Sequence, residues 1–351
     1  MNSPRYTATF AHDLVAWQRV HGRHDLPWQG TRDPYPIWVS EIMLQQTQVA
    51  TVMPYYRRFM ARFPDVRALA AAPLDDVLAH WSGLGYYSRA RHLHAAAVLV
   101  CSRHGGVFPR DFDAVQALPG IGRSTAAAIM VFAYGARHAI LDGNVKRVLA
   151  RCRGIRGYPG ESAVSAALWQ QAETLLPDED IEAYTQGLMD LGARLCTRRA
   201  PRCTACPLQN RCVAYGAGIV QELPTPRPRR AVPRRATTML VLQHRSEVLL
   251  EKRPAPGIWG GLWCFPEIAP GEDAVSASAA RFGLDASTVG SMKPLEHGFT
   301  HFLLTITPQL LRVSHATPRT EEPGRQWWSL QAARDAGLPA PVRRILDQLS
   351  E

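Results

Sequence analysis

Residues 118–126 read LPGIGRSTA, and this stretch decides the fold of the first half of the chain. It lies between two runs with apolar residues at three- and four-residue spacing, which indicates two helices joined by a short turn. Gly120 and Gly122 permit a tight turn and a close approach of the backbone to a ligand. The amides that open the second helix then form an anion site, for which phosphate is the expected group. A packing turn that binds nothing is the alternative interpretation.

Sequence patterning divides the chain into two domains and a linker. Residues 1–222 carry helical spacing interrupted by short Pro, Gly and Asp breaks, which predicts a mainly α domain. Residues 223–236 hold four prolines, five arginines and no acid, so we expect an extended linker. Residues 237–351 contain short strand-like runs, such as TTMLVLQ and FLLTITP, and end in a helical pattern. They are expected to form a small α+β domain.

The overall composition favours a folded protein and is compatible with binding a polyanion, although many basic proteins bind none. The 351 residues are 46% hydrophobic, which is enough for one large core or two smaller ones. The formal net charge is +10, and nucleic acid is a common partner of such basic proteins. No run of eighteen apolar residues and no secretion signal is present. We therefore expect a cytoplasmic protein with no membrane partner.

Four of the seven cysteines are clustered, with the spacing Cys196-x6-Cys203-x2-Cys206-x5-Cys212. An odd number of cysteines without a secretion signal argues against a disulfide framework. Four thiolates in such a compact loop can surround one metal centre. Zinc is one possibility, although zinc sites usually pair two short Cys-x2–4-Cys hooks and only one is found here. Four cysteines can equally hold a 4Fe–4S cluster.

This cysteine spacing resembles the iron–sulfur loop of the endonuclease III superfamily of DNA glycosylases, and LPGIGRSTA resembles the helix-hairpin-helix motif of the same superfamily. The resemblance implies a 4Fe–4S cluster on the four cysteines and phosphate contacts from the hairpin. Superfamily members that also nick the strand carry a lysine where this chain has Ser124. Serine cannot form a Schiff base, so we expect a monofunctional glycosylase. Lys146 is the nearby amine that could trap a sugar adventitiously.

Asp142 stands before a helical run in LDGNVKRV, where an acid can cap the free amides of the helix. Capping and the helix dipole lower the pKa of an acid, so we expect Asp142 to be anionic at neutral pH. A purely structural cap is the alternative. The stretch resembles the catalytic aspartate motif of the superfamily, which implies that Asp142 faces a developing positive sugar and that Asn144 orients it.

Glu41 lies in SEIMLQQTQV, where a helix would place it on a partly apolar face with Ile37 and Leu44. A carboxyl in that environment tends to keep its proton. The stretch resembles the active-site helix of the adenine DNA glycosylase (MutY) family. The resemblance implies that Glu41 protonates N7 of the leaving adenine and then activates water, which is the two-carboxylate logic of sugar-bond cleavage.

Four further positions are assigned to DNA and base contacts by the same resemblance. Glycosylases act on a base flipped out of the helix, and the gap must be filled. Gln46 and Tyr86 correspond to the wedge that fills it, with Tyr86 offering a flat ring and Gln46 an amide. Gln186 and Ser124 correspond to positions that line the adenine pocket. Without the resemblance, these four residues would be interpreted as ordinary packing or surface residues.

The second domain opens with GIWGGLWCFPE, residues 257–267, which resembles the start of a Nudix hydrolase domain. Such hydrolases bind magnesium through a glutamate-rich helix. The corresponding stretch, residues 271–284, offers only Glu272 and Asp273, too few oxygen ligands for that chemistry. We therefore expect a Nudix-like domain that keeps the fold and recognises the oxidised guanine.

The lesion-reading loop is expected at HGFTH, and comprises His297, Phe299, Thr300 and His301. The usual triplet in the adenine DNA glycosylases is Phe-Ser-His, so Thr300 retains the hydroxyl and adds a methyl group. A strand end with ordinary histidines is the alternative.

The resemblance covers nearly the whole chain and implies a monomeric enzyme of base excision repair. Its expected partner is double-stranded DNA with adenine opposite 8-oxoguanine or guanine, which would associate it with the nucleoid. Repair proteins are possible further partners. Two other functions stay open: a glycosylase for another mismatch, such as thymine opposite guanine, and a lesion-binding protein without catalysis.

Overall fold

The computed structural model describes residues 4–228, 231–255, 257–314 and 324–349. Helices make up the first part of the chain. They are α1 (Pro4–His21), α2 (Pro34–Leu44), α3 (Val49–Arg62), α4 (Val66–Ala71), α5 (Leu74–Trp81), α6 (Ser88–His104), α7 (Phe112–Gln116), α8 (Arg123–Tyr134), α9 (Gly143–Arg153), α10 (Ser162–Thr174), α11 (Ile181–Arg194) and α12 (Val213–Gly216).

The chain forms two compact units. The first comprises Met1–Ala70 and Ala95–Arg229, and the second comprises Ala71–His94 and Arg230–Glu351. Residues 71–94, which precede most of the first unit in sequence, thus group with the C-terminal part of the chain. The predicted linker, residues 223–236, follows the last helix of the first unit, but its last three residues belong to the first strand, Arg234–His244. The extent of the functional domains stays a prediction.

The core of the first unit is helical. Side chains from α1, α8, α9, α10 and α11 pack against one another. Among them, Phe10, Val131, Leu149 and Leu191 are fully buried. These helices have their apolar residues at the helical spacing seen in the sequence, so burial of one face holds each against its neighbours. Helix α9, which follows Asp142, and helix α11, which carries Gln186, belong to this core, and α2, which carries Glu41, packs against α8.

The second unit contains a mixed eight-stranded sheet. Its strands are β1 (Arg234–His244), β2 (Glu247–Lys252), β3 (Trp263–Cys264), β4 (Glu267–Ile268), β5 (Ala286–Ser291), β6 (Leu295–Gly298), β7 (Leu303–Val313) and β8 (Arg325–Ser329). The main path runs β3-β2-β1-β7-β5, and β1 and β7 pair in parallel while the other pairs are antiparallel. Helices α13 (Ala274–Phe282), α14 (Leu330–Asp335) and α15 (Ala340–Gln348) complete the unit.

Polar contacts fix residues 71–94 within the second unit. The hydroxyls of Ser82 and Tyr87 both donate to the carbonyl oxygen of Leu338, at 2.8 and 3.0 Å. Arg91 donates to the carbonyl of Gly260 at 2.6 Å. The segment that carries Tyr86 is thereby anchored on both sides.

The observed elements confirm the predicted fold class, a mainly α N-terminal part followed by an α+β part. The strand-like runs of the sequence lie in β1, β2, β7 and β8, and the predicted final helix is α15. No helix among the described residues has the length and apolar character needed to cross a membrane.

Candidate active site

The LPGIGRSTA stretch forms the expected turn between α7 and α8. Gly120 has φ of +79°, a left-handed conformation that glycine adopts without strain. Gly122 is the residue before α8, and a Cβ there would meet no atom within 4 Å. The first amides of α8 follow an open, uncapped residue, which is the geometry of an anion site at a helix N-terminus.

Ser124 supports the backbone beside the predicted catalytic aspartate. Its Oγ accepts a hydrogen bond from the backbone N–H of Leu141 at 2.9 Å. Leu141 immediately precedes Asp142. Ser124 does not line the cavity that Glu41 and Gln186 line, so its observed role is to hold Leu141.

A cavity of about 340 Å³ lies in the first unit. Residues from α1, α2, α3, α8 and α11 and from the segment between α1 and α2 line it. Among them are Gln18, Arg23, Trp28, Glu41, Gln186 and Met189. The size and the mixture of apolar walls with a few polar groups are typical of a small-ligand site.

Glu41 reaches this cavity from α2. Asp33 caps that helix by accepting from the Tyr35 amide, and the face opposite Glu41 buries Val39 and Met43. Among the described residues, the Glu41 carboxyl has no hydrogen-bond partner. Burial, followed by the negative charge of Asp142, raises the pKa of Glu41 to about 8. The expected protonated carboxyl is thus favoured by two separate causes.

Asp142 lies immediately before α9 and caps it. Its Oδ1 accepts from the Val145 amide at 2.8 Å, and its Oδ2 accepts from the Asn144 side chain at 3.3 Å. Burial nevertheless raises the pKa of Asp142, against the lowering by Val145, Arg147 and Asn144. The prediction of a lowered pKa for Asp142 was wrong. It assumed a capping carboxylate exposed to solvent, whereas the carboxylate of Asp142 is buried. Asp142 still has the donors that Glu41 lacks, so it is the first of the two to ionise.

Asn144 is itself held in place. Arg147 donates to the Asn144 side-chain oxygen at 2.8 Å, and also to the carbonyls of Gly192 and Cys196, both at 2.7 Å. A Cβ at Gly192 would lie 2.6 Å from the Asn144 Cβ, so only glycine allows α11 to approach α9 this closely. The close approach of Gly192 and the hydrogen bond from Arg147 both fix the position of Asn144, which is compatible with its predicted role of orienting Asp142.

Gln186, which was predicted to line the adenine pocket, lines this cavity. Two residues that the sequence analysis missed accompany it. Arg23 also lines the cavity. Asp190, which is fully buried, binds both Arg23 and Gln186. Asp190 stands four residues after Gln186 on α11, and that helical spacing was the available signal.

Gln46 and Tyr86, the two predicted wedge residues, share an unusual backbone conformation. Their φ angles are +58° and +50°, in the left-handed region that residues other than glycine rarely adopt. Gln46 is exposed, and Tyr86 is 47% exposed. Such strain is found where a structure over-determines the backbone, often at functional sites.

The predicted lesion-reading loop joins β6 to β7. Thr300 and His301 are exposed at its tip. His297 and Phe299 pack behind them against Trp259, with ring centroids 5.6 and 5.4 Å from the Trp259 ring. Burial and the charge of Arg344 lower the pKa of His297, which favours a neutral ring.

The two acids before α13 are engaged locally. Asp273 caps α13 by accepting from the Ser276 amide at 2.8 Å, and Glu272 accepts from the Ala269 amide at 3.1 Å. Both carboxylates therefore stabilise the loop that enters the helix.

Cys196, Cys203, Cys206 and Cys212 line one cavity. Cys152 is buried and lines the same cavity. Among the described residues, no three His, Cys, Asp or Glu side chains are arranged to hold a single metal ion.

Arg151 faces this cavity and is 2% exposed. It donates to the carbonyl of Thr197 at 2.7 Å and to the Cys196 sulfur at 3.3 Å. Within the described part of the chain, Arg151 has no carboxylate partner. A buried cation in this position is stabilised by negative charge on the nearby thiolates, and the donor set therefore fits a thiolate-bound centre.

Two family patterns match the sequence. The family described as HhH-GPD superfamily base excision DNA repair protein matches residues 39–174, and the NUDIX domain matches residues 237–348. Among solved structures, a thermostable thymine-DNA glycosylase superposes with a TM-score of 0.54 at 31% identity, covering 61% of this chain and 98% of its own. A non-covalent endonuclease III–DNA complex gives 0.53 at 21% identity, covering 62% and 99% respectively, and shows the fold alone.

Full-length relatives carry one common description. The adenine DNA glycosylase of Buchnera aphidicola subsp. Acyrthosiphon pisum is 36% identical, and the match spans 97% of this chain and 98% of that protein. Those of Mus musculus and Homo sapiens are 34% and 32% identical over 96% of this chain, and over 77% and 73% of their own lengths. By sequence and by fold, the chain belongs to the adenine DNA glycosylase family.

Proposed function

We propose that this protein hydrolyses the N-glycosidic bond of adenine mispaired with 8-oxoguanine or guanine in double-stranded DNA. The observation that carries the proposal is the pair formed by Glu41, with a raised pKa at the wall of a small cavity, and Asp142, with its own set of donors. Two carboxyl groups held in different protonation states are what acid-assisted cleavage of a sugar–base bond requires.

The proposed reaction assigns one role to each acid. Protonated Glu41 donates its proton to N7 of adenine, and the C1′–N9 bond breaks with its electron pair leaving on the base. Anionic Asp142 stabilises the positive charge that develops on the sugar. Glu41, now anionic, takes a proton from the water that adds to C1′. The proton balance closes within the active site.

No strand cleavage by a Schiff base is expected from Ser124. Its side chain is a hydroxyl, and that hydroxyl accepts from the Leu141 amide. The glycosylase is therefore proposed to be monofunctional. Lys146, a half-buried residue on α9, is the alternative nucleophile. Strand breaks that form without alkali treatment would measure its contribution.

We infer a 4Fe–4S cluster held by Cys196, Cys203, Cys206 and Cys212. The four cysteines line one cavity, and Arg151 supplies a buried positive charge beside it. The cysteine spacing, which resembles the iron–sulfur loop of the superfamily, favours the cluster over a single zinc ion. When bound, such a cluster supplies a rigid cross-link between the cysteines. The exposed side chains of Arg198 and Arg199, between Cys196 and Cys203, are then held where they can contact phosphates.

DNA contacts are proposed for three further places. The amides of α8 after Gly120 and Gly122 bind a phosphate. Gln46 and Tyr86 fill the gap left by the flipped adenine. Tip residues Thr300 and His301 meet the 8-oxoguanine. The protein is proposed to act as a monomer at the nucleoid, and the linker at residues 223–236 is where a repair protein could bind.

The test uses three labelled duplexes, with adenine opposite 8-oxoguanine, thymine opposite guanine, and normal pairs. We expect alkali-labile breaks only in the duplex with adenine opposite 8-oxoguanine. Breaks at thymine would make the protein a different mismatch glycosylase. Breaks without alkali would restore strand nicking, and binding without any break would leave a lesion-binding protein.

A further inference from the structure

Asp190 is a buried carboxylate one helical turn beyond Gln186 on α11. Its side chain has no solvent exposure. A charge in such a place requires several donors to offset the loss of hydration. Asp190 has them, and all come from two residues that line the cavity of Glu41.

Arg23 supplies most of these donors. Its backbone amide donates to Asp190 Oδ2 at 2.7 Å, its Nε donates to Oδ1 at 2.7 Å, and its Nη2 lies 2.6 Å from Oδ1. The Arg23 side chain is 20% exposed. The ion pair is therefore geometrically fixed, because both the backbone and the side chain of Arg23 are engaged.

Gln186 supplies the remaining donor. Its Nε2 lies 2.9 Å from Asp190 Oδ1. An ionised carboxylate only accepts hydrogen bonds, so the nitrogen end of the amide must face Asp190. The other end, the carbonyl oxygen Oε1, is then the atom that Gln186 offers to the cavity.

We propose that Asp190 is a positioning residue that sets the base specificity of the cavity by fixing the Gln186 amide. The proposal rests on the proposed removal of adenine. A hydrogen-bond acceptor presented by Gln186 matches the 6-amino group of adenine, which donates. It leaves the 6-oxo group of hypoxanthine facing a second acceptor, and unsubstituted purine without a donor. A site built to bind a donor rejects analogues that lack it.

Asp190→Asn tests this role with little change of shape. The asparagine amide replaces one acceptor oxygen by a donor, so Arg23 and Gln186 can no longer both be satisfied as before. The Gln186 amide is then free to turn. Gln186→Leu removes the amide altogether from a half-buried position, and provides a second variant that does not disturb the Arg23 ion pair.

Single-turnover rates are measured for adenine, unsubstituted purine and hypoxanthine, each opposite 8-oxoguanine. We expect Asp190→Asn and Gln186→Leu each to lower the adenine-to-purine rate ratio by about tenfold or more relative to the wild type. In the double variant the ratio should fall no further than in Gln186→Leu alone, because both changes act through one amide. Duplex affinity and thermal unfolding are recorded for every variant.

An equal loss of rate on all three substrates in Asp190→Asn would make Asp190 merely structural and overturn the proposal. So would a wild-type ratio in Gln186→Leu, whether or not the Asp190 variant folds. Independent, additive losses in the double variant would also contradict it. A wild-type protein that releases no adenine would instead refute the proposed function, so the two failures are distinguishable.

Discussion

The negative charge of Asp142, before α9, raises the pKa of Glu41, on α2, beyond the rise that burial causes. The two residues are separated by about a hundred positions. Helix α2 packs against α8, and α8 shares the core of the first unit with α9. Asp142 holds hydrogen bonds from Val145 and Asn144, whereas Glu41 shows none among the described residues. This difference in donors decides which acid keeps the proton.

Glu41→Gln is expected to lower single-turnover adenine release by about 10²- to 10⁴-fold, because glutamine cannot deliver a proton to N7. Gel-shift affinity for the duplex should stay near that of the wild type, since the shape of the side chain is kept. Normal cleavage by this variant would remove Glu41 from the reaction.

The rate of adenine release is expected to fall as the pH rises through about 8, where Glu41 loses its proton. At low pH the rate falls again as Asp142 becomes protonated. Single-turnover rates on adenine opposite 8-oxoguanine between pH 5 and 10 give the profile. A rate that continues to rise above pH 9 would contradict the assignment of a proton donor.

Stability offers an independent measure of the same raised pKa. Between the ordinary pKa of 4.5 and the folded-state value of about 8, the folded protein holds a proton on Glu41 that the unfolded chain has lost. Stability from this group therefore declines as pH rises across that window. Glu41→Gln removes the penalty, so its melting temperature should exceed that of the wild type by more at pH 8 than at pH 5. An unchanged difference would count against the raised pKa.

Gly192→Ala is expected to reduce both stability and activity. The new Cβ would lie 2.6 Å from the Cβ of Asn144, and relieving the clash moves Asn144 away from Asp142. Overpacking of this kind costs about 1–3 kcal/mol. Gly216→Ala is the matched control, because a Cβ there meets nothing within 4 Å. Equal behaviour of the two variants in denaturant unfolding and cleavage would refute the close approach as the cause.

Cysteine replacement tests the ligand set. Cys203→Ser should lose iron and visible absorbance, whereas Cys152→Ala, which alters the same cavity at a residue outside the predicted set, should keep both. Iron and zinc are measured in the purified protein. A colourless, active wild type that contains zinc would disprove the cluster.

Local patterns predicted much of the site. The hairpin at residues 118–126, the cysteine spacing and the two acids each lie in a short motif. Such motifs can be recognised from residues close together in the sequence. Burial of Asp142 could not be predicted that way, because it depends on how α9 packs in the folded unit. Nor could the pairing of Arg23 with Asp190, which are 167 residues apart and meet only after folding.

The most direct test is to titrate the Glu41 carboxyl itself, by carbon NMR of the labelled glutamate with Glu41→Gln to assign the signal. We expect a midpoint near 8 in the wild type. In Asp142→Asn, where burial acts without the neighbouring charge, we expect a lower midpoint that is still above 4.5. A wild-type midpoint near 4.5 would mean that Glu41 has no proton to give at neutral pH.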